Sequence, residues 1–341
     1  MSITKKLAHW VTHPFFLRLW LAALLTLLCS QASVDAAVPR LRAGFASPSI
    51  NVAILWVTND GKLFEKNGVE VEALYLESTL SQKALIAGNI DFAMMTANNM
   101  AAPRFAGADL IMLAGFINRF VYRLVVRPEI NTAADLKGKR VGIFRFGSVA
   151  DRASRILLAR LGLDPEKDVT FIQTPGADSA RVQGLVGNTL DAALLNPPFY
   201  KQAVASGMKI LANMEEMNIP FQHIGYVTSQ RFVAKQPDIV RRIVKSFVEG
   251  IHLMRTNADF TKRVLSKYMR VNDPRDLQES YQLMRDLIPV KPYPVLEGFK
   301  IVFSELAEKV PAAKTANAKD FVDTRFLEEL DRSGYIDGLY K

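Results

Sequence analysis

Hydroxyl, carboxamide and guanidinium side chains gather at spaced points along the chain. Ser47 and Asn51 come first, followed by Ser78 with Thr79, Thr96 with Asn98, and Asn118 with Arg119. Further on stand Arg145, Gly147 and Ser148, and then Asn196. Such a set suits an oxyanion, because arginine donates a planar fork of N–H groups and short hydroxyls and amides add further contacts. Each member also has a plainer reading. Thr79 and Ser148 suit helix N-caps, Pro197 and Pro198 suit a helix start, and a single arginine most often faces solvent. Phe45, Phe116, Phe144, Phe146 and Phe199 lie beside the polar positions, as walls for an organic body or as ordinary core.

The elements that would position these residues alternate. Leu41–Phe45 reads as a strand, followed by an apolar helix through Trp56. Residues 69–75 alternate with period two, as a half-buried strand does. Thr79-Leu-Ser-Gln82 has the form of a capping box, opening a helix that Gly88 closes. The compact apolar runs 91–95 and 110–114 suit strands buried on both faces. The rhythm restarts with a strand at 140–144, a helix capped by Ser148, and strands at 169–173 and 192–195. Polar residues that follow strands in this way lie at the carboxyl ends of a mostly parallel sheet, where helix N-termini offer free N–H groups. Ala87-Gly-Asn-Ile-Asp-Phe-Ala93 is echoed by Val186-Gly-Asn-Thr-Leu-Asp-Ala-Ala193, which suggests a repeated lobe. Residues 122–127 and 225–228 read as strands crossing between the lobes. From Pro237 onward the chain turns to long amphipathic helices.

Composition narrows the function. The chain has 341 residues, enough for two domains, and a formal charge of +9 that is spread out and accompanied by no nucleic-acid-binding motif. Lys5, Lys6 and Arg18 precede the apolar run 19–28, and Val34-Asp-Ala36 has the small-x-small pattern of a cleavage site, so residues 1–36 read as a secretory signal. The only cysteine, Cys29, falls within that segment, and its removal would leave no thiol and a charge of +7. His9 and His13 fall there too, and neither His223 nor His252 has a partner at metal-ligand spacing. No nucleophile elbow, P-loop or zinc-protease motif occurs. The expectation is a non-catalytic chain with neither metal nor cofactor.

The segment Gly61-Lys-Leu-Phe-Glu-Lys-Asn-Gly-Val-Glu-Val71 resembles one found in the nitrate, sulfonate, taurine and pyrimidine-precursor solute-binding proteins of ABC importers. Ala84-Leu-Ile-Ala-Gly-Asn-Ile-Asp91 and Ala134-Asp-Leu-Lys-Gly-Lys-Arg-Val141 resemble two more, and Gly147-Ser148, Leu161-Gly-Leu-Asp164 and Asn196-Pro-Pro198 follow in the same order. The resemblance spans roughly residues 41–256. It implies an α/β fold of the periplasmic-binding-protein type II, with two α/β lobes joined by crossing strands and C-terminal helices. Lobe 1 would take residues 37–126 and 226–341, and lobe 2 residues 127–225. It further implies a monomer in the periplasm that binds a small molecule between its lobes and delivers it to an inner-membrane ABC permease. A small organic anion is the preferred ligand, with a pyrimidine or thiamine precursor as the alternative, and a periplasmic ligand sensor would share the same fold. Relatives that make pyrimidines carry a cysteine-rich motif, which the chain beyond Cys29 lacks.

Overall fold

The computed structural model describes residues 38–46, 48–174, 178–197, 199–217 and 219–341. The expected signal segment with Cys29 lies outside the described residues, as do Ser47, Pro175, Gly176 and Pro198. The chain divides into Met1–Pro39 and Arg40–Lys341, and every described strand and helix belongs to the second unit.

Its strands are β1 (Arg40–Phe45), β2 (Glu70–Tyr75), β3 (Phe92–Met95), β4 (Leu110–Arg119), β5 (Arg123–Val126), β6 (Lys139–Ile143), β7 (Val169–Gln173), β8 (Ala192–Leu195), β9 (Lys209–Asn213) and β10 (Pro220–Ser229). The helices of the alternating part are α1 (Ala53–Asp60), α2 (Leu63–Lys66), α3 (Ser78–Ile86), α4 (Ala97–Phe105), α5 (Val149–Arg160), α6 (Asp178–Val186) and α7 (Phe199–Ala205). The C-terminal part adds α8 (Gln230–Lys235), α9 (Pro237–Thr256), α10 (Ala258–Met269), α11 (Pro274–Leu287), α12 (Leu296–Leu306), α13 (Arg325–Arg332) and α14 (Tyr335–Gly338).

The strands form two five-stranded sheets, ordered β2-β1-β3-β10-β4 and β7-β6-β8-β5-β9. In the first, β1 runs parallel to β2 and β3 while β10 opposes β3 and β4. In the second, β6 runs parallel to β7 and β8 while β5 opposes β8 and β9. Four strands of each sheet therefore share a direction, and the odd one is the strand that arrives from the other sheet. The chain crosses between Arg119 and Arg123 and returns between Asn213 and Pro220.

The sequence echo has a structural counterpart. Asp91 accepts from the Arg42 backbone N–H at 2.7 Å, and Asp191 accepts from that of Arg140 at 2.8 Å. The reciprocal backbone bonds, Asp91 to Arg42 and Asp191 to Arg140, are both 2.9 Å. Each aspartate thus fixes the entry of a buried strand, β3 or β8, beside the first strand of its sheet. Two glycines allow the close packing, since a Cβ on Gly44 would press on Ser81 and Ile90, and one on Gly142 on Leu190.

Two strands differ from the sequence reading. β9 joins the second sheet at an edge and is only partly covered, so it lacks the apolar run that marks a central strand. β10 starts at Pro220, well before Gly225, because its first half pairs with the far end of β4. The C-terminal helices bury the first sheet. Phe247 on α9 meets the rings of Phe64, Phe92 and Phe116 at 5.4, 6.2 and 4.9 Å, an aromatic centre that binds α9 to three elements at once.

Candidate functional site

Strand direction decides where the site lies. Phe45 pairs with Tyr75 and Gly44 with Ala93, so β1, β2 and β3 all finish along one edge of the first sheet. β4 runs with them and ends there at Arg119, and β10 enters there. In the second sheet Ile143 pairs with Gln173 and Gly142 with Ala193, so β6, β7 and β8 likewise share a finishing edge. Arg123 at the start of β5 sits there opposite Leu195 and Asn213. Both crossings therefore lie at these edges, and side chains from the two meet. Arg145 after β6 pairs with Glu77 after β2 at 3.5 Å, and the Tyr122 and His223 rings lie 6.0 Å apart at the crossings.

The structure places the first-sheet candidates as follows. Asn51 is buried in a short turn after β1, and its Oδ1 has no hydrogen-bond partner among the described residues. Neighbouring Ser49 is buried with an equally unpartnered hydroxyl. Thr96 caps α4, its Oγ1 accepting from the Asn99 N–H at 3.2 Å. Asn98 sits in the first turn of α4, 7% exposed, with an unpartnered Oδ1. Asn118 donates to the Tyr293 carbonyl at 3.1 Å, and Arg119 to that of Asp286 at 3.1 Å, so both tie β4 to the C-terminal part. Ser78 and Thr79 are half-buried. The capping box expected at Thr79 is not the cap: α3 begins at Ser78, two residues sooner than that cap would set, and the Glu77 carboxylate accepts from the Thr79 N–H at 3.1 Å. A carboxylate also suits the positive end of the helix better than a hydroxyl.

On the second edge, Ser148 caps α5 as expected, accepting from Asp151 at 3.3 Å. Gly147 adopts φ +77°, a left-handed conformation that disfavours a side chain, and its N–H donates to Asp151 at 2.7 Å. Arg145 is exposed and lies 4.7 Å from the Phe144 ring as well as beside Glu77. Asn196 donates its backbone N–H to Asp178 at 2.9 Å and leaves its Oδ1 unpartnered. Of the phenylalanines, Phe45 and Phe116 are buried core, Phe144 and Phe199 are partly covered, and Phe146 is exposed.

Several groups at these edges lack any motif that would single them out. Arg181 in the first turns of α6 is 2% exposed, pairs with Asp178, and keeps Nε and Nη1 unpartnered. Burial raises the Tyr122 hydroxyl, with the Asp178 charge adding to it, while the Asn196 side chain within hydrogen-bond reach opposes the rise. Burial pushes His223 down to about 4, so its ring is neutral, and its Nδ1 has no partner. Lys201 on α7 reaches Asp276 and Glu279 on α11 at 2.9 and 2.5 Å, and Tyr200 donates to Glu279. Arg152 on α5 pairs with Glu305 on α12 at 2.7 Å. Burial lifts the Glu305 carboxyl to about 7 in spite of that arginine. These last contacts join the second sheet's helices to the C-terminal helices that pack on the first.

Among the described residues no group of three or more His, Cys, Asp or Glu is placed to hold a metal ion, and no helix is long and apolar enough to cross a membrane.

A family profile described as NMT1/THI5 like matches residues 49–259. A protein of Brucella abortus described as a binding protein is 24% identical over 254 residues, 73% of this chain and 76% of its own. An ABC transporter periplasmic binding protein of Brachyspira hyodysenteriae is 24% identical over 74% of this chain and 75% of its own. Among solved structures, the aliphatic sulphonate binding protein SsuA of Escherichia coli superposes with a TM-score of 0.68 at 18% identity, covering 84% of this chain and 92% of its own. The nitrate-binding protein NrtA of Synechocystis gives 0.68 at 15% identity over 87% and 89%.

Proposed function

The chain belongs to the NMT1/THI5-like family and carries the two-sheet fold of the periplasmic binding proteins; from that premise we propose that it is the substrate-binding component of an ABC importer. It captures a small organic anion between two lobes and performs no chemical step on it. In this reading the lobes follow the sheets, and closure turns on the segments that join them, 120–122 and 214–217.

One observation carries this reading: two strand-end edges meet, and each presents buried polar atoms that no described residue satisfies. Unsatisfied buried groups cost stability, so a fold retains them where a ligand completes their hydrogen bonds. Ser49, Asn51 and Asn98 supply them from the first lobe, and Asn196 from the second. In this reading Ser78, Thr79, Thr96, Asn118, Arg119, Arg145, Gly147 and Ser148 border the same cleft.

Function follows from differential binding. A ligand that touches both edges binds the closed form more tightly than the open one and draws the equilibrium toward closure. A membrane permease that recognises the closed form then receives only loaded protein. The sequence relative described as an ABC transporter periplasmic binding protein supports this role, and the sulphonate and nitrate binders that share the fold support an anionic ligand.

The test is a thermal-shift screen of residues 37–341 against sulfonates, carboxylates, nitrate, purines and pyrimidines. A ligand that binds only the folded state raises the midpoint by mass action. The expected result is a clear rise with one class of organic anion. A rise with pyrimidines alone would keep the receptor and overturn the anion, and no rise with any compound would contradict the reading. A riboflavin-binding relative from Chloroflexus aurantiacus makes the heteroaromatic arm of the screen worth including.

A further inference from the structure

We propose that Arg181 is the ligand-binding cation of the cleft and that, with Tyr122, it holds the carboxylate or sulfonate head of the ligand. This rests on the receptor reading above and adds the atoms that read the charge.

The two arginines conspicuous in the sequence are already occupied. Arg119 donates to the end of α11, and Arg145 lies exposed beside Glu77. Arg181 is the reverse case. It is almost wholly buried, where a guanidinium cannot shed its charge, and one nitrogen meets Asp178 while Nε and Nη1 meet nothing described. Asp178 is itself shared, since it also accepts from the Asn196 N–H at 2.9 Å and opens α6, whose N-terminus offsets part of its charge. The Asp178 carboxylate therefore holds Arg181 in place without using up its donors.

The neighbouring groups agree. Tyr122 stands close enough to Asp178 and Arg181 to feel both charges, and the Asn196 carboxamide lies within hydrogen-bond reach of its oxygen and orients it. His223, beside Tyr122, is uncharged and adds no second cation. Donors from α6 and from the crossing segment thus converge at the strand-end edge of the second sheet. A carboxylate or sulfonate offers several acceptor oxygens and one negative charge, which is what these donors lack.

The experiment is calorimetric titration of the full chain and of Arg181→Gln with taurine, methanesulfonate, acetate and benzoate, alongside thermal unfolding without ligand. The inference expects binding of the preferred anion to weaken by roughly 100-fold in Arg181→Gln, as loss of a charged, buried donor does. It also expects the unliganded midpoint to stay level or rise, because the unmade hydrogen bonds are gone. A structural strut would give the opposite pattern, with a fallen midpoint and unchanged affinity. Asp178→Asn/Arg181→Gln covers the case in which a lone Asp178 destabilises the single variant, and it should show the same loss of binding. Arg241→Ala should bind within about threefold of the parent, since that residue pairs with Asp238 and Glu329 among the C-terminal helices. Undiminished binding by both Arg181 variants overturns this inference alone. A parent chain that binds none of the four anions overturns the anionic ligand, and this inference with it.

Discussion

The two sheets share one strand order and one way of anchoring their third strand, yet their facing edges differ in chemistry. On the first, the unsatisfied buried atoms are a hydroxyl and carboxamide oxygens, at Ser49, Asn51, Asn98 and Asn118. On the second, Arg123 Nε and Arg181 Nε and Nη1 stand unpartnered, along with the Asn196 and Glu215 side-chain oxygens. A common scaffold thus presents a neutral, acceptor-rich face and one that adds guanidinium donors. The loops after the strands carry that difference, while the strands, their glycines and the aspartate anchors stay alike. A ligand suited to both faces has an anionic end toward the second lobe and hydrogen-bond donors toward the first.

The largest test of this likeness of scaffold lies at the glycines. Gly44→Ala and Gly142→Ala should each cost about 1–3 kcal/mol, because the new methyl enters a filled site against Ser81 and Ile90 or against Leu190. Urea unfolding of both variants measures it, and a cost confined to one sheet would break the equivalence.

Next come the anchors. Asp191 accepts three bonds from Arg140, at 2.8 Å each, whereas Asp91 accepts from the backbone of Arg42. Hydrogen bonds from Arg140 outweigh the effect of burial and hold the Asp191 carboxyl down at about 2. A carboxyl whose pKa is lower folded than unfolded stabilises fully above about pH 4 and loses that contribution as pH falls toward 2. Asp191→Asn should therefore lose about 2 kcal/mol at pH 7, with the gap to the parent closing near pH 2. Asp91→Asn should lose less. Equal losses, or a gap that persists in acid, would contradict the ion-pair account of the second anchor.

Affinity separates the two faces at smaller scale. Asn98→Ala should weaken ligand binding by about tenfold, the worth of one buried hydrogen bond. Arg145→Ala, which removes a half-exposed pair with Glu77 at 3.5 Å, should change it by less than about threefold. Titration calorimetry checks both, and the reverse ranking would move the recognition of charge from Arg181 to Arg145.

Much of the scaffold was legible in the residues alone. Strands 92–95 and 192–195 announce themselves by compact apolar runs, and the Ser148 cap by its spacing to Asp151, since both signals are local. β9 was silent because an edge strand with one face in water has no run to show. Arg181 was silent for a different reason. On a helix it looks like any solvent-facing arginine, and its burial arises from tertiary packing that no local pattern announces. Glu77 escaped notice because glutamate is an unusual N-cap and Thr79 offered a more ordinary one two residues on.

The central claim is that one ligand bridges the two edges. It is tested most directly by a pulsed electron-spin-resonance distance between labels at Ile86→Cys and Val186→Cys, in a chain with Cys29→Ser. Both sites are exposed, and each lies at the end of its helix, α3 or α6. Saturation with the anion found in the screen should replace a longer, broad distribution by a shorter, narrow one as the lobes close. A distribution unchanged at saturation would contradict the account, for the ligand would then be held by one lobe alone.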